Sequence, residues 1–372
     1  MRHPSPSAGS MRRRPLLAAA AAVAALALAA CGSDDGGTTT AAGGGGAGGE
    51  AATAPELRLG YFANVTHAPA IVGVDNGYLE DELGDTALST QIFNAGPAAV
   101  EALFGGALDA TYIGPNPAIN AFGQSDGEAV RIIAGSTSGG AQLVVREGID
   151  DVEDLRGTTI ATPQLGNTQD VALRAWLTDN GLQNDVSGGG DVTITPTANA
   201  DTLQLFQDGQ LDGAWLPEPW SSRLVLEAGA SVLVDEKELW PDGQFVTTHL
   251  IVRTEFLEQY PGTVEALLRG HVESVEWIKA NEDEAKTTVN AGIEKLASSP
   301  LSPEVLDRAW TELEFTEDPI ASSLAESAKD AFAAGTAEDD VDLKGIYHLG
   351  PLNAVLEERG LATVEDGGLG DG

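Results

Sequence analysis

Five short polar segments, each at the end of a predicted strand, carry the residues best suited to holding a small solute. They occupy positions 94–96, 114–116, 136–139, 165–169 and 215–218, and most are rich in Gly, Ser, Thr and Asn. In open α/β sheets, ligands bind outside the carboxyl ends of the strands, where helix N-termini present free N–H groups and a partial positive charge. The pattern therefore predicts a cleft for a small polar or anionic solute.

Taken singly, each segment also has an ordinary structural explanation. Ser, Thr and Asn are common helix N-caps, and Gly is common in turns. What favours binding is that five such segments occur in one chain. They supply hydroxyls and amides but no Ser/His/Asp set, and the five histidines are too scattered for a metal site. We therefore expect a protein that is not an enzyme and that uses no cofactor or metal.

Strands and helices alternate along most of the chain, which predicts parallel βαβ units. The predicted strands are 57–61, 89–93, 110–113, 130–134, 141–146, 158–161, 192–196, 211–216, 232–234 and 245–253, with a polar turn at 135–140. Helices are predicted at 68–78, 98–104, 118–122, 169–180, 200–208 and 220–228, and the chain from 255 onward is mainly helical. The strand series restarts after residue 140, which predicts two α/β lobes.

Cys31, the only cysteine, closes a segment typical of an export signal. Arg12–Arg14 precede an apolar run over residues 15–30, and small residues come directly before Cys31. The pattern predicts a lipoprotein signal with lipid attached to Cys31; the alternative is an ordinary export signal with a chance cysteine. We expect the protein to be exported and held on the outer face of the cytoplasmic membrane.

The predicted division of the chain follows from these patterns. It consists of a signal peptide at 1–30, a flexible tether at 31–54, a first lobe at 55–140 and 248–364, a second lobe at 141–247 and a disordered tail at 365–372. The tether is assigned from its Gly, Ala and Thr content, because it lacks the apolar residues needed to form a core.

The chain is strongly acidic, with 20 basic and 57 acidic residues. Removal of residues 1–30 takes away four arginines and no acid, which leaves a net charge of −41. A nucleic-acid-binding protein needs a basic surface for the phosphates, so this class of partner is excluded. The acidity is typical of a solubilising surface.

Several motifs occur in a characteristic order: residues 60–62 with 67–70, 75–79, 113–117, 155–161, 166–170, 212–220, 345–347 and 351–353. In this order and spacing the chain, from about residue 57 to 361, resembles the extracytoplasmic solute-binding proteins of ABC importers for aliphatic sulfonates, taurine and nitrate. The resemblance implies a type II periplasmic-binding-protein fold, in which two α/β lobes are joined by two crossing strands, here near 141–146 and 245–253. It also implies a monomer that captures a small organic anion and delivers it to a permease and its ATPase.

The resemblance further implies a set of ligand-binding positions. They are Phe62, His67, Asn94, Gly96, Gly114, Asn116, Ser136, Thr137, Ser138, Gly139, Asn167, Thr168, Gln169, Trp215 and Glu218. Ser138, Asn167 and Thr168 would donate to the anionic head. Phe62 and Trp215 would cover the organic part.

Several roles stay open at this stage. Glu218 either pairs with a cationic group such as the amine of taurine or is a carboxylate stabilised by its helix dipole. His67 either donates to an anion or is a capping or core histidine. Arg146 or Arg253 either supplies a positive charge to the site or forms a surface salt bridge. The alternative solutes are a phosphonate or a cationic vitamin precursor. The alternative functions are an enzyme on the same fold and an interaction protein.

Overall fold

The computed structural model describes residues 51–337 and 341–370. The predicted signal peptide, Cys31 and the tether up to residue 50 lie outside the described residues.

Strands and helices alternate in the observed order. The strands are β1 (Glu56–Phe62), β2 (Ala87–Phe93), β3 (Ala110–Ile113), β4 (Val130–Gly139), β5 (Ala141–Val145), β6 (Thr159–Thr162), β7 (Thr193–Pro196), β8 (Gly213–Pro217), β9 (Ser231–Asp235), β10 (Val246–Arg253) and β11 (Leu313–Phe315). The helices are α1 (Ala68–Asp75), α2 (Tyr78–Leu83), α3 (Gly96–Phe104), α4 (Pro115–Gln124), α5 (Thr168–Asp179), α6 (Asn199–Gln207), α7 (Trp220–Ala228), α8 (Thr254–Gln259), α9 (Pro261–Ala280), α10 (Glu282–Ala297), α11 (Pro303–Thr311), α12 (Ala321–Ala333) and α13 (Gly350–Glu358). Short 3-10 turns cover Val65–His67, Val152–Leu155, Glu236–Leu239 and Pro241–Gly243.

The strands form two sheets. The first has the order β11-β4-β10-β3-β1-β2, and the second has the order β7-β6-β8-β5-β9. Most neighbours that are joined through a helix are parallel, while β10 and β5 run antiparallel to the strands beside them. The chain enters the second sheet between β4 and β5 and returns to the first before β10.

Alternating side chains of the second sheet enter two separate cores. Leu143, Val145 and Trp215 belong to one core, and their neighbours Val144 and Leu216 belong to the other. Successive side chains of a strand point to opposite faces, so a strand that is apolar at every position must be covered on both sides. Helices pack on both faces of this sheet for that reason.

The predicted turn at 135–140 is wrong over most of its length, because residues up to Gly139 continue β4. Ser138 pairs with Val246 of β10, and Gly139 pairs with Leu313 of β11. Small side chains are needed here for packing, since a Cβ at Gly135 would collide with the carbonyl oxygen of Asp318. A run of Gly, Ser and Thr is therefore a closely packed strand in this position.

Three smaller differences from the prediction concern one helix, one strand and the C-terminal tail. The predicted helix at 68–78 is divided in two. The helix α1 ends at Asp75, and α2 begins after Gly77, whose backbone has a φ of 82°. The strand β11 lies inside the region predicted to be helical. The described part of the predicted disordered tail is bonded to the body, since the Leu369 carbonyl accepts from the N–H groups of Gly345 at 3.0 Å and Tyr347 at 3.3 Å.

The described helices include none that combines the length and the apolar character needed to cross a membrane.

Candidate functional site

A small cavity lies where strand ends of the first sheet meet strand ends of the second. Its volume is about 20 Å³, which is room for roughly one water molecule. The first sheet and its loops contribute Phe62, Asn64, Thr66, His67, Asn94, Gly114, Thr247 and Thr248, and the second contributes Pro163, Asn167, Thr168, Gln169, Asn199 and Pro217. The cavity is thus enclosed by residues on both sides of the strand crossings.

Parallel strands bring these residues together by ending at the same edge. Phe62 is the last residue of β1, Asn94 directly follows β2, and Gly114 directly follows β3. On the other side, Pro163 directly follows β6 and Pro217 ends β8. The carboxyl edges of both sheets therefore face one space, where α/β proteins place their ligands.

Three polar atoms of the lining are buried without a hydrogen-bond partner among the described residues: Thr168 Oγ1, Asn199 Oδ1 and Thr248 Oγ1. Buried polar groups are nearly always bonded, because an unpaired one costs free energy. The three residues come from α5, α6 and β10, so they approach the cavity from different directions. Unsatisfied atoms converging on one space are what a ligand site offers before its ligand is bound.

The lining contains no Lys, Arg, Asp or Glu, and His67 is its only titratable side chain. Burial lowers the pKa of His67 to about 3, so the imidazole is neutral at neutral pH. Its ring stacks on Phe62 with centroids 4.3 Å apart, and its Nδ1 accepts from the Phe62 N–H at 3.4 Å. The proton of the neutral ring is therefore on Nε2, which can donate.

The N-terminus of α5 adds further donors. The helix begins at Thr168, with Asn167 as its N-cap, and no side chain caps the first turn. Free N–H groups at such a terminus and the helix dipole favour a negative charge. The site therefore presents dipoles and hydroxyls in place of a charged side chain.

Seven of the predicted binding residues line the cavity: Phe62, His67, Asn94, Gly114, Asn167, Thr168 and Gln169. Gly96 lies just behind them, because its N–H donates to Asn167 Oδ1 at 3.3 Å. This bond joins α3 to the loop before α5 and so links the two sides of the cavity.

The other predicted positions lie outside the lining, and among them the buried hydroxyl of Ser136 has no hydrogen-bond partner among the described residues. Asn116 Nδ2 donates to the Ser327 carbonyl at 2.9 Å. Ser136, Thr137, Ser138 and Gly139 are residues of β4. The Thr137 hydroxyl donates to the carbonyl of Thr66, a lining residue, at 2.7 Å, so Thr137 supports the wall from behind.

Trp215 and Glu218 are also placed away from the cavity. Trp215 is fully buried in a core of the second sheet, and its Nε1 donates to Glu236 Oε2 at 2.7 Å. Glu218 is fully buried and pairs with Arg308 Nη1 at 3.0 Å, while its Oε2 accepts from the Ser222 N–H. A cation for Glu218 is thus supplied by the protein itself.

The two arginines considered as a source of positive charge are engaged elsewhere. Arg146 donates to the Leu211 carbonyl at 2.5 Å and stacks on Phe206. Arg253 pairs with Asp109 at 3.0 Å. Neither residue belongs to the cavity lining.

The lining also contains residues that the sequence analysis missed, Asn64, Thr66, Pro163, Asn199, Thr247 and Thr248, and it contains Pro217, which lies in the predicted segment 215–218 but was not named as a contact. The pair Thr247-Thr248 carried a usable signal, since two adjacent hydroxyls lie near the start of a strand that continues as Leu-Ile-Val after His249. Asn199 carried a similar one as the first residue of a helix that follows a strand. Trp220 stacks with Arg223 on its own helix and also donates to Oδ1 of the lining residue Asn64 at 2.9 Å.

The described residues contain no group of His, Cys, Asp and Glu side chains arranged to hold a metal ion.

Known proteins of similar sequence and structure are binding proteins. The chain is 26% identical over 312 residues to a putative aliphatic sulfonates-binding protein of Bacillus subtilis (strain 168), covering 82% of this chain and 89% of the relative. The structure of the alkanesulfonate-binding protein SsuA from Xanthomonas axonopodis pv. citri bound to MOPS matches with a TM-score of 0.65 and 20% identity, over 78% of this chain and 97% of the other. The periplasmic nitrate-binding protein NrtA from Synechocystis PCC 6803 matches with a TM-score of 0.66 and 16% identity, over 84% and 86%.

These likenesses confirm the predicted periplasmic-binding-protein fold, with two α/β sheets joined by two crossings of the chain. The resemblance noted in the sequence is confirmed as well. The model of the NMT1-like family matches residues 50–292 of this protein, and the chain belongs to that family.

Proposed function

We propose that this protein is the membrane-tethered solute-binding component of an ABC importer, which captures a small anion between its two lobes and delivers it to a permease. The observation that carries the proposal is the cavity between the strand ends of the two sheets. Three of its buried polar atoms, in Thr168, Asn199 and Thr248, have no partner among the described residues.

The chemistry of the lining favours an anionic solute. Hydroxyls of Thr168 and Thr248, the Nε2–H of His67 and the free N–H groups of α5 all donate, and no carboxylate lines the cavity to repel negative charge. The names of the relatives point to sulfonates or nitrate as the class of anion. Taurine belongs to the same class.

The proposed contacts are the seven predicted residues that line the cavity together with Asn199 and Thr248. Phe62 and the ring of His67, stacked on each other, form an apolar wall for the organic part of a solute. The proposed first lobe consists of residues 55–140 and 248–364, and the proposed second lobe consists of residues 141–247.

The size of the cavity requires the lobes to move. A volume of about 20 Å³ leaves no room for a sulfonate with its carbon chain, so the two walls must separate for entry and exit. Capture then consists of closure around the solute with no bond broken, and retention follows from the higher affinity of the closed form.

Tethering is the remaining part of the proposal. The periplasmic relative supports export, and Cys31 with the signal before it supports a lipid anchor. Cells that produce the Cys31→Ser variant should release the protein into the medium or periplasm, whereas wild-type protein stays with the membrane. Equal membrane association of both forms would rule out lipidation at Cys31.

The function is tested by calorimetry and thermal shift on the purified protein with ethanesulfonate, taurine, nitrate and bicarbonate, and with a phosphonate and a cationic heterocycle as the alternatives. A solute at a hundred times its dissociation constant stabilises the fold by about 2.7 kcal/mol, which is readily visible. Saturable binding of an anion that is recovered intact supports the proposal. Binding of the cation alone would overturn the proposed solute class, and conversion of the solute would indicate an enzyme.

A further inference from the structure

A buried carboxylate holds the loop that brings Asn167 and Thr168 to the cavity. Asp170, in the first turn of α5, accepts from the Thr162 hydroxyl at 2.8 Å and from the Gly166 N–H at 3.0 Å. Thr162 ends the strand before the loop, and Gly166 lies near the end of the loop. One side chain therefore ties both ends of the segment that forms this wall.

The charge of Asp170 is balanced from one turn further along the same helix. Arg174 Nε lies 3.0 Å from Asp170 Oδ2, and the two side chains are 1% and 0% exposed. Removing one partner of such a pair leaves an uncompensated buried charge. Water screens a buried charge only weakly, so an unbalanced Asp170 would act on any anion bound at the adjacent loop.

We propose that Asp170 is a positioning residue for the solute site and that Arg174 cancels its charge, so that a bound anion meets the N–H groups and hydroxyls of the loop without repulsion from a bare carboxylate. This inference rests on the proposed function, since it concerns the affinity of an anionic solute. Neither residue lines the cavity, so both act through the loop.

The positioning role is tested with Asp170→Asn, which keeps the size of the side chain but replaces one of its two acceptor oxygens with a donor and removes the charge that faces Arg174. The matched control is Asp201→Asn, because Asp201 lies in the first turn of α6, beside the lining residue Asn199, but is exposed. Hydrogen exchange of the amides at 164–168, measured without solute, should accelerate in Asp170→Asn only. Affinity for the anion identified with wild type should fall about tenfold in Asp170→Asn and stay unchanged in the control.

The charge-cancelling role is tested with Arg174→Met and with the double variant Asp170→Asn/Arg174→Met. The single variant exposes the anion to an unpaired carboxylate, so its affinity should fall about tenfold below that of Asp170→Asn. The double variant has no net charge at the pair, so it should bind more tightly than Arg174→Met but less tightly than Asp170→Asn, which keeps the unpaired Arg174 cation. If Arg174→Met does not fold, Arg174→Lys retains the charge and should bind more tightly than the double variant.

Several results would overturn the inference. Wild-type exchange and affinity in Asp170→Asn would exclude positioning. A double variant that binds no better than Arg174→Met, or a loss of melting temperature with unchanged affinity, would reduce the pair to a structural role. If wild type binds none of the anions, the proposed function and the charge role fail together, while the exchange comparison still decides the positioning role.

Discussion

The hydroxyls of Thr168 and Thr248 are the most telling groups in this protein, because the fold buries them and gives them nothing to bond. Thr168 is the first residue of α5, the helix that follows β6 of the second sheet. Thr248 lies on β10, a strand of the first sheet. Each is at most 5% exposed. A buried hydroxyl without a partner lowers the free energy of unfolding, so we expect such groups where a bound ligand supplies the missing hydrogen bond.

Replacement of Thr248 by Val should separate affinity from stability. Valine has nearly the same shape but no hydroxyl, so anion affinity should fall by about tenfold or more while the free energy of unfolding is unchanged or rises. Calorimetry and urea unfolding measure the two quantities. The control is Thr202→Val, whose hydroxyl is bonded to the Ala198 carbonyl at 3.2 Å: it should lose stability and keep affinity. The reverse pattern would exclude Thr248 as a contact.

His67 should make no titrating contribution to anion binding near neutral pH. Its pKa of about 3 keeps the ring neutral, so affinity should not rise as the pH falls from 8 to 5.5, as it would if an imidazolium held the anion. The same shift affects folding: the neutral form is favoured in the folded state, so this contribution to stability is lost as the pH falls from about 6.5 towards 3. Titration calorimetry between pH 8 and 5.5, on wild type and on His67→Asn, measures the pH dependence of anion affinity. An affinity that rises on acidification in wild type alone would contradict the neutral assignment.

Among the elements, β4 differs most from its sequence pattern. Its C-terminal half has the composition of a turn, yet it is paired on one side with β10 and on the other with β11. Close contact with the segment around Asp318 selects small residues there. The hydroxyl-rich stretch thereby forms a rigid base behind the cavity.

Gly135→Ala tests this close packing. The added methyl group must displace the backbone at Asp318, so we expect the variant to lose about 1–3 kcal/mol of unfolding free energy, measured by urea denaturation. Gly350→Ala is the control, because a Cβ at that position meets no atom within 4 Å. Equal stability of the two variants would show that β4 tolerates movement of its neighbour.

The sequence predicted the fold better than it predicted the site. Alternating apolar strands and capped helices are local patterns, so the two series of βαβ units were visible, including the restart after residue 140. The lining depends on which residues face each other across two sheets. Trp215 was predicted at the site but lies in a core, because both faces of β8 are buried, and nothing local distinguishes a core tryptophan from one at a pocket. Thr248 was missed because it lies inside a strand, away from any turn.

The two lobes touch closely around the cavity. Asn64 accepts from Trp220, and the Gly96 N–H donates to Asn167, each across the cavity. Gly114 lies so close to Thr168 that a Cβ on it would collide with the hydroxyl. The structure is therefore a closed form in which even one extra methyl group has no room.

Gly114→Ala should hold the lobes apart. The methyl group competes with Thr168 only when the lobes are closed, so affinity should fall at least about tenfold with little change in melting temperature. Small-angle scattering at saturating solute should give a larger radius of gyration than wild type under the same conditions. The double variant Gly114→Ala/Thr168→Ser retains the hydroxyl that the new methyl group meets, so it should stay as open as Gly114→Ala. A compact scattering profile with wild-type affinity would refute the steric argument.

Gly140 is the only residue between β4 of one sheet and β5 of the other, whereas the return connection between β9 and β10 spans residues 236–245. The first crossing thus contains one residue, and the second contains ten, seven of which lie in the 3-10 turns Glu236–Leu239 and Pro241–Gly243. Gly139 and Gly140 both adopt a positive φ, 75° and 73°, which suits glycine. We therefore expect opening to be a rotation of the backbone at this pair, because it is the shortest link between the two sheets. Such a rotation would move the part of the cleft that lies furthest from Gly140 by the greatest distance.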